Sequence, residues 1–224
     1  MKKSVCLLAV LACCATLVSA KEKAKPESEA PPPSPFSLGV FLSYWNVDGL
    51  DEFDLNGAVG AGIEGQIRLH SFLALDLRLS GYGASYYEEV YGSCGCWTDY
   101  ELTLYALPLE AGLLVTLPLG DRFEIYGGPG VGYYFFDGEY RIDQGPWETL
   151  VDIDMDDDVG YYALLGIRAE LARYAHLFFE SKYAWVESSL ELRDDVRERF
   201  GWPDLQADID FSGLTFNAGL RFTF

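Results

Sequence analysis

The residue types that could do chemistry are few in this chain. His70 and His176 are its two histidines, the natural general bases of a hydrolase, yet each stands at a tight turn between extended segments. The run VDIDMDDD, Val151 to Asp158, alternates Asp152, Asp154 and Asp156 as the start of a calcium loop does. Asp157 sits where such a loop turns on glycine and Ala163 where it closes on glutamate, so an EF-hand is excluded. What is left is a solvated acidic stretch with at most a weak divalent-cation site at Asp152, Asp154 and Asp156. Cys94 and Cys96 are too few for a metal site and make no disulfide framework. The glycines between Gly127 and Gly132 lack the lysine and the helix of a phosphate loop. These residues point to no catalytic group and no cofactor.

A larger set is defined by position. Glu64, Arg68, Asp76, Arg78, Glu110, Glu124, Arg168, Glu170, Glu180, Lys182 and Arg221 carry both signs and fall on one side of extended segments. The segments that must hold them number eight, at about 36–47, 58–70, 72–87, 100–117, 123–136, 160–172, 176–188 and 213–224. In the second, Val59, Ala61, Ile63, Ile67 and Leu69 alternate with Gly60, Gly62, Glu64, Gln66 and Arg68. In the last, Leu214, Phe216, Ala218, Leu220, Phe222 and Phe224 alternate with Thr215, Asn217, Gly219, Arg221 and Thr223. Short turns at 69–71, 119–122 and 173–175 alternate with long acidic connections at 48–57, 88–99, 137–159 and 189–211.

Two closed arrangements fit that alternation. A soluble lipocalin-like barrel would turn the apolar face inward around a ligand. The charges decide against it: both signs interleaved with glycine suit a narrow interior in which charges pair, and the apolar band is too large to face water. In a bilayer the band is matched to its solvent, and a closed barrel satisfies every backbone group where no water is available. The reading is an all-β, eight-stranded antiparallel up-and-down transmembrane barrel. Tyr86, Tyr87, Tyr100, Tyr133, Tyr161 and Trp185 would form one interfacial girdle, and Phe72, Phe123, Phe178 and Phe224 the other.

The flanking sequence agrees. Met1-Lys2-Lys3, an apolar core and Val18-Ser19-Ala20 read as a signal peptide over 1–20, a better fit than lipidation at Cys13 or Cys14. Residues 21–35, KEKAKPESEAPPPSP, read as a proline-rich spacer, and 36–224 as the barrel. Cleavage removes two lysines and no acid, taking the net charge from −19 to −21. Such a chain repels nucleic acid.

The stretch LPLEAGLLVTLPLGDRFEIYGGPGVGYYF, with Pro108 and the run Tyr126 to Tyr133, resembles the central hairpin of OmpA-like and opacity-type outer-membrane barrels. GIRAELARYAHLFFESKY, with Glu180, is similar to their next hairpin. The resemblance covers about 36–224 and implies an outer-membrane location in a Gram-negative-type bacterium, periplasmic termini, and a closing strand with Phe216, Leu220, Phe222 and Phe224 as the signal for the outer-membrane assembly machinery. It also places both histidines at periplasmic turns, whereas barrel hydrolases place theirs at the extracellular end. No peptidoglycan-binding domain is expected after the barrel. The expected protein is a monomer in outer-membrane lipid, non-enzymatic, serving envelope integrity or surface interaction with an extracellular partner through its acidic loops. The alternative is a small porin-like channel.

Overall fold

The computed structural model describes residues 35–48, 57–91, 97–144, 147–192 and 206–224. The first twenty residues, most of the spacer, Cys94 and Cys96 lie outside them. The described chain is nearly all strand: β1 Phe36–Val47, β2 Ala58–His70, β3 Leu73–Tyr91, β4 Trp97–Leu119, β5 Phe123–Gln144, β6 Trp147–Met155, β7 Asp158–Ala172, β8 Ala175–Trp185, β9 Glu187–Leu192, β10 Gln206–Asp210 and β11 Gly213–Thr223. Eight of these, in the order β1-β2-β3-β4-β5-β7-β8-β11, pair antiparallel, and β11 returns to β1 to close the barrel. Ser37 opposite Thr223 through Val47 opposite Gly213 is the seam. No terminal strand is left with an open edge within the barrel.

Alternation sets the two surfaces. Leu42, Val59, Ile63, Leu109, Leu165 and Phe179 face outward and are exposed, as are Phe216, Leu220, Phe222 and Phe224. Their in-chain neighbours face the lumen and are buried or half-buried. Residue-by-residue alternation is what a wall between lipid and a packed interior requires.

The long connections contain more strand than sequence reading expects. About nine to eleven tilted residues cross a bilayer, whereas β4 has 23 residues and β5 has 22. Beyond the barrel, β5 pairs with β6, β6 with β9 and β9 with β10. Because the first half of β5 pairs with β7 and the second half with β6, β6 and β7 are one descending strand, interrupted at Asp156 and Asp157. In the same way β8 and β9 break at Val186, and β10 and β11 at Phe211 and Ser212. The breaks are stitched together: Asp156 N donates to Ser189 O at 3.0 Å, Val186 N to Ser212 Oγ at 3.2 Å, and Phe136 N to Asp157 Oδ1 at 3.2 Å. Above them the wall turns Val151, Ile153 and Ile209 to the inside. The result is a crease in the wall, with a β-sheet standing over most of the rim.

Three girdle expectations are corrected. Phe178 is fully buried in the lumen, against Phe41 and beside Arg221, because it precedes the outward-facing Phe179 and so takes the opposite face. Tyr86 and Tyr100 also fall on the inward-facing side and are half-buried, Tyr100 stacking on Tyr140 at 6.2 Å. Tyr87, Tyr133, Tyr161 and Trp185 on one side, and Phe72, Phe123 and Phe224 on the other, are exposed on the outer surface.

Candidate functional site

The lumen is filled at two levels. In the lower one, Arg78 on β3 reaches across to Glu180 on β8, which lies opposite in the strand order. Nη1 meets Oε2 at 2.5 Å and Nη2 meets Oε1 at 2.8 Å, the bidentate geometry that makes guanidinium and carboxylate pairs strong. Arg78 also bonds Asp76 and lies 3.1 Å from Glu64. Arg221 donates Nε to Glu64 at 2.6 Å, and its guanidinium is held between the rings of Phe178 and Tyr126. Tyr126 donates to Glu180 Oε1 at 2.7 Å and Asn217 to Oε2 at 3.3 Å. A short distance away Lys182 and Tyr134 both donate to Glu110 Oε1, at 2.5 and 2.8 Å. Glycine leaves the room these side chains occupy: a Cβ on Gly39 would stand 2.5 Å from Glu64 Oε1.

The upper level is aromatic and was not anticipated from sequence. Trp45 packs on Tyr82 at 5.1 Å and on Tyr134 at 6.2 Å, and Phe136 stacks on Phe211 at 4.4 Å. All five rings are buried, with Leu104, Val186 and Ile209 around them. The interior read from sequence as narrow and charge-lined holds whole rings here, because glycines such as Gly60 and Gly160 leave the room taken by Tyr82 and Tyr134. The signal lay in the alternation itself, which assigns Trp45, Tyr82 and Tyr134 to the lumen by position.

Of the eleven charged positions, Glu64, Asp76, Arg78, Glu110, Glu180, Lys182 and Arg221 meet in these clusters. Arg168 is buried and pairs with Glu124, which is half-buried. Arg68 is half-buried and Glu170 exposed at the short-turn mouth. His70 and His176 line that same mouth. His70 Nδ1 lies 3.1 Å from Ser71 Oγ on an exposed turn, and neither histidine has a carboxylate hydrogen-bonded to it among the described residues. Asp152 is exposed on β6, and the side chain of Asp154 lies outside the description. Asp156 accepts from Ser189 Oγ at 2.6 Å. Among the described residues no group of three or more histidine, cysteine or acidic side chains is arranged to hold a metal ion.

Tyr162 supplies a direct test of this packing. Its hydroxyl is buried without a hydrogen-bond partner, while Lys182 Nζ lies 5.4 Å from the ring centre. Tyr162→Phe removes the unsatisfied group and keeps the ring, so its urea midpoint should equal or exceed that of the parent. Tyr126→Phe and Tyr134→Phe, which lose bonds to carboxylates, should each cost about 1.5–3 kcal/mol. Equal losses in all three variants would refute the assignment of partners.

Comparison with known proteins agrees with this architecture. The crystal structure of the outer membrane protein OprG from Pseudomonas aeruginosa superposes with a TM-score of 0.60 at 16% identity, covering 86% of this chain and 97% of that one. The solid-state NMR structure of the outer membrane protein AlkL in DMPC lipid bilayers gives 0.51 at 16% identity, covering 91% and 96%. At such identities the likeness speaks for the fold alone. Among curated proteins no sequence match was found. The family model described as outer membrane protein beta-barrel domain matches residues 6–222. With the lipid-facing band, the closed seam and the paired interior already in place, the chain belongs to this outer-membrane β-barrel family and is an outer-membrane protein of a Gram-negative-type bacterium.

Proposed function

We propose that the protein is a non-conducting, non-enzymatic envelope component that works through its extracellular wall, supporting envelope integrity and meeting a partner outside the cell. The observation that carries this reading is the placement of ordered structure: the lumen is packed with side chains, while the strands continue well beyond the length a bilayer needs. On the outer face of that wall Glu89 opposes Asp99 and Asp99 opposes Asp143 across adjacent strands. Like charges in register cost an isolated sheet stability, so the row fits a surface that is completed by a cationic partner. Tyr87, Tyr91 and Trp97 stand exposed beside it and offer ring faces to the same kind of group. Within the membrane the partners are lipid and, during insertion, the assembly machinery, for which the outward Phe216, Leu220, Phe222 and Phe224 form the presented edge. The working unit is the monomer.

Planar-bilayer recording of the purified mature protein tests the central point. The expected trace has no discrete conductance steps, because the charged cluster and the aromatic layer both lie across the lumen. Regular steps from well-folded protein would replace this reading with that of a small channel.

A further inference from the structure

We propose that the periplasmic mouth of the barrel binds a small oxyanion, the chemistry shared by phosphate and carboxylate groups. The mouth holds a cavity of about 220 Å³, lined near its edges by Pro35 and Thr223, where the chain enters and leaves the barrel. That is room for roughly seven water molecules. Its ceiling is the charged cluster, reached through Gln66, which donates to Asp76 at 2.8 Å. The cavity is therefore a dead end, shaped to hold a solute.

The charge of the lining is the inverse of the charge of the chain. In a protein with a net charge of −19, the wall of this cavity carries Arg68, Arg168 and Arg173 against Glu124 and Glu170, together with both histidines of the chain. Two of the three arginines have donors to give. Arg168 spends Nε on Glu124, and its guanidinium lines the cavity. Arg68 makes no ion pair among the described residues. Guanidinium nitrogens on the cavity wall that are not spent on a carboxylate can donate charge-assisted bonds to an oxyanion entering from the periplasm. Arg173, over the ring of Tyr174 at 5.3 Å, stands at the rim as the first cation such a solute encounters. A cation would instead be repelled by the same wall. This site is independent of the extracellular reading, since it lies at the other end of the molecule.

The test is ³¹P NMR and calorimetric titration of inorganic phosphate into the full-length mature protein in maltoside micelles, which contain no phosphate. Saturable binding is expected. Arg68→Ala and Arg173→Ala should each weaken it about tenfold while the heat-modifiable gel shift is kept, and Arg68→Lys should restore part of the loss. Repeating the titration in phospholipid nanodiscs separates two sources of the same chemistry. Undiminished binding assigns the site to a soluble periplasmic solute, and competition by the bilayer assigns it to a lipid headgroup. Absence of saturation, or equal affinity in parent and folded variants, overturns the proposal.

Discussion

Glu180→Ala is expected to lower the stability of the folded barrel by about 3–5 kcal/mol, the cost of leaving a buried ion pair broken on one side. Glu180 accepts from Arg78, Tyr126 and Asn217 at once and lies 3.6 Å from Arg221 Nη2. Its removal strands two buried guanidinium groups, for which Glu64 and Asp76 remain the nearby acceptors. The measurement is urea unfolding in phospholipid vesicles, read by gel mobility of the unboiled protein. Arg78→Ala should cost a comparable amount, and the double variant should lose less than the two single losses added, because the residues share one bond network. Additive losses would mean that the cluster is not the cooperative unit described. Replacing both residues by well-packed apolar ones is a different experiment, and it can leave stability unchanged, since the desolvation of both charges is then avoided.

The second large effect is steric. A Cβ added at Gly130 would stand 2.1 Å from Cζ of the Tyr162 ring, and one added at Gly128 would stand 1.8 Å from the backbone oxygen of Leu113. Both substitutions overpack a closed wall, and losses of at least about 1–3 kcal/mol are expected. They should differ in rescue. Gly130→Ala meets a side chain, so Tyr162→Leu in the same molecule should recover much of the loss. Gly128→Ala meets backbone, and no side-chain change near it can make room without moving strand β4. Gly128→Ala protein that assembles with parental urea resistance would show that the wall yields more readily than this packing allows.

Much of the barrel was legible in the residues because lipid and lumen impose opposite demands on neighbouring positions. β1 and β2 span the segments that alternation outlines, and the last strand runs through Phe222 and Thr223 as read. The strands above the crease were harder. β6, WETLVDIDM, alternates as well, with Val151 and Ile153 buried and Asp152 exposed. Its acids instead read as a solvated loop with at most a weak cation site, because the same period of two serves a calcium motif and the wet face of a strand. Of the interior charges, seven converge, whereas Arg68 and Glu170 belong to the mouth: position along the strand decides that, and alternation reports only the side. Phe178 was misplaced by residue type, since aromatic side chains suit a girdle and a lumen equally well.

The crease at Asp156–Asp157, Val186 and Phe211–Ser212 marks the level at which the wall passes between two physical regimes. Below it, each outward residue answers to hydrocarbon and each inward one to a crowded lumen, so most substitutions are felt. Above it, the outer face answers only to water and to whatever touches it, and pairing continues through β6, β9 and β10 by backbone bonds that do not depend on side-chain identity. New binding surfaces can therefore be grafted or diversified on the upper strands, up to the stitched backbone at the crease, without renegotiating the membrane-embedded part. The protein is in this sense a display scaffold, its upper sheet joined to its anchor through the unbroken β3, β4 and β5 and set apart from it where the other strands break.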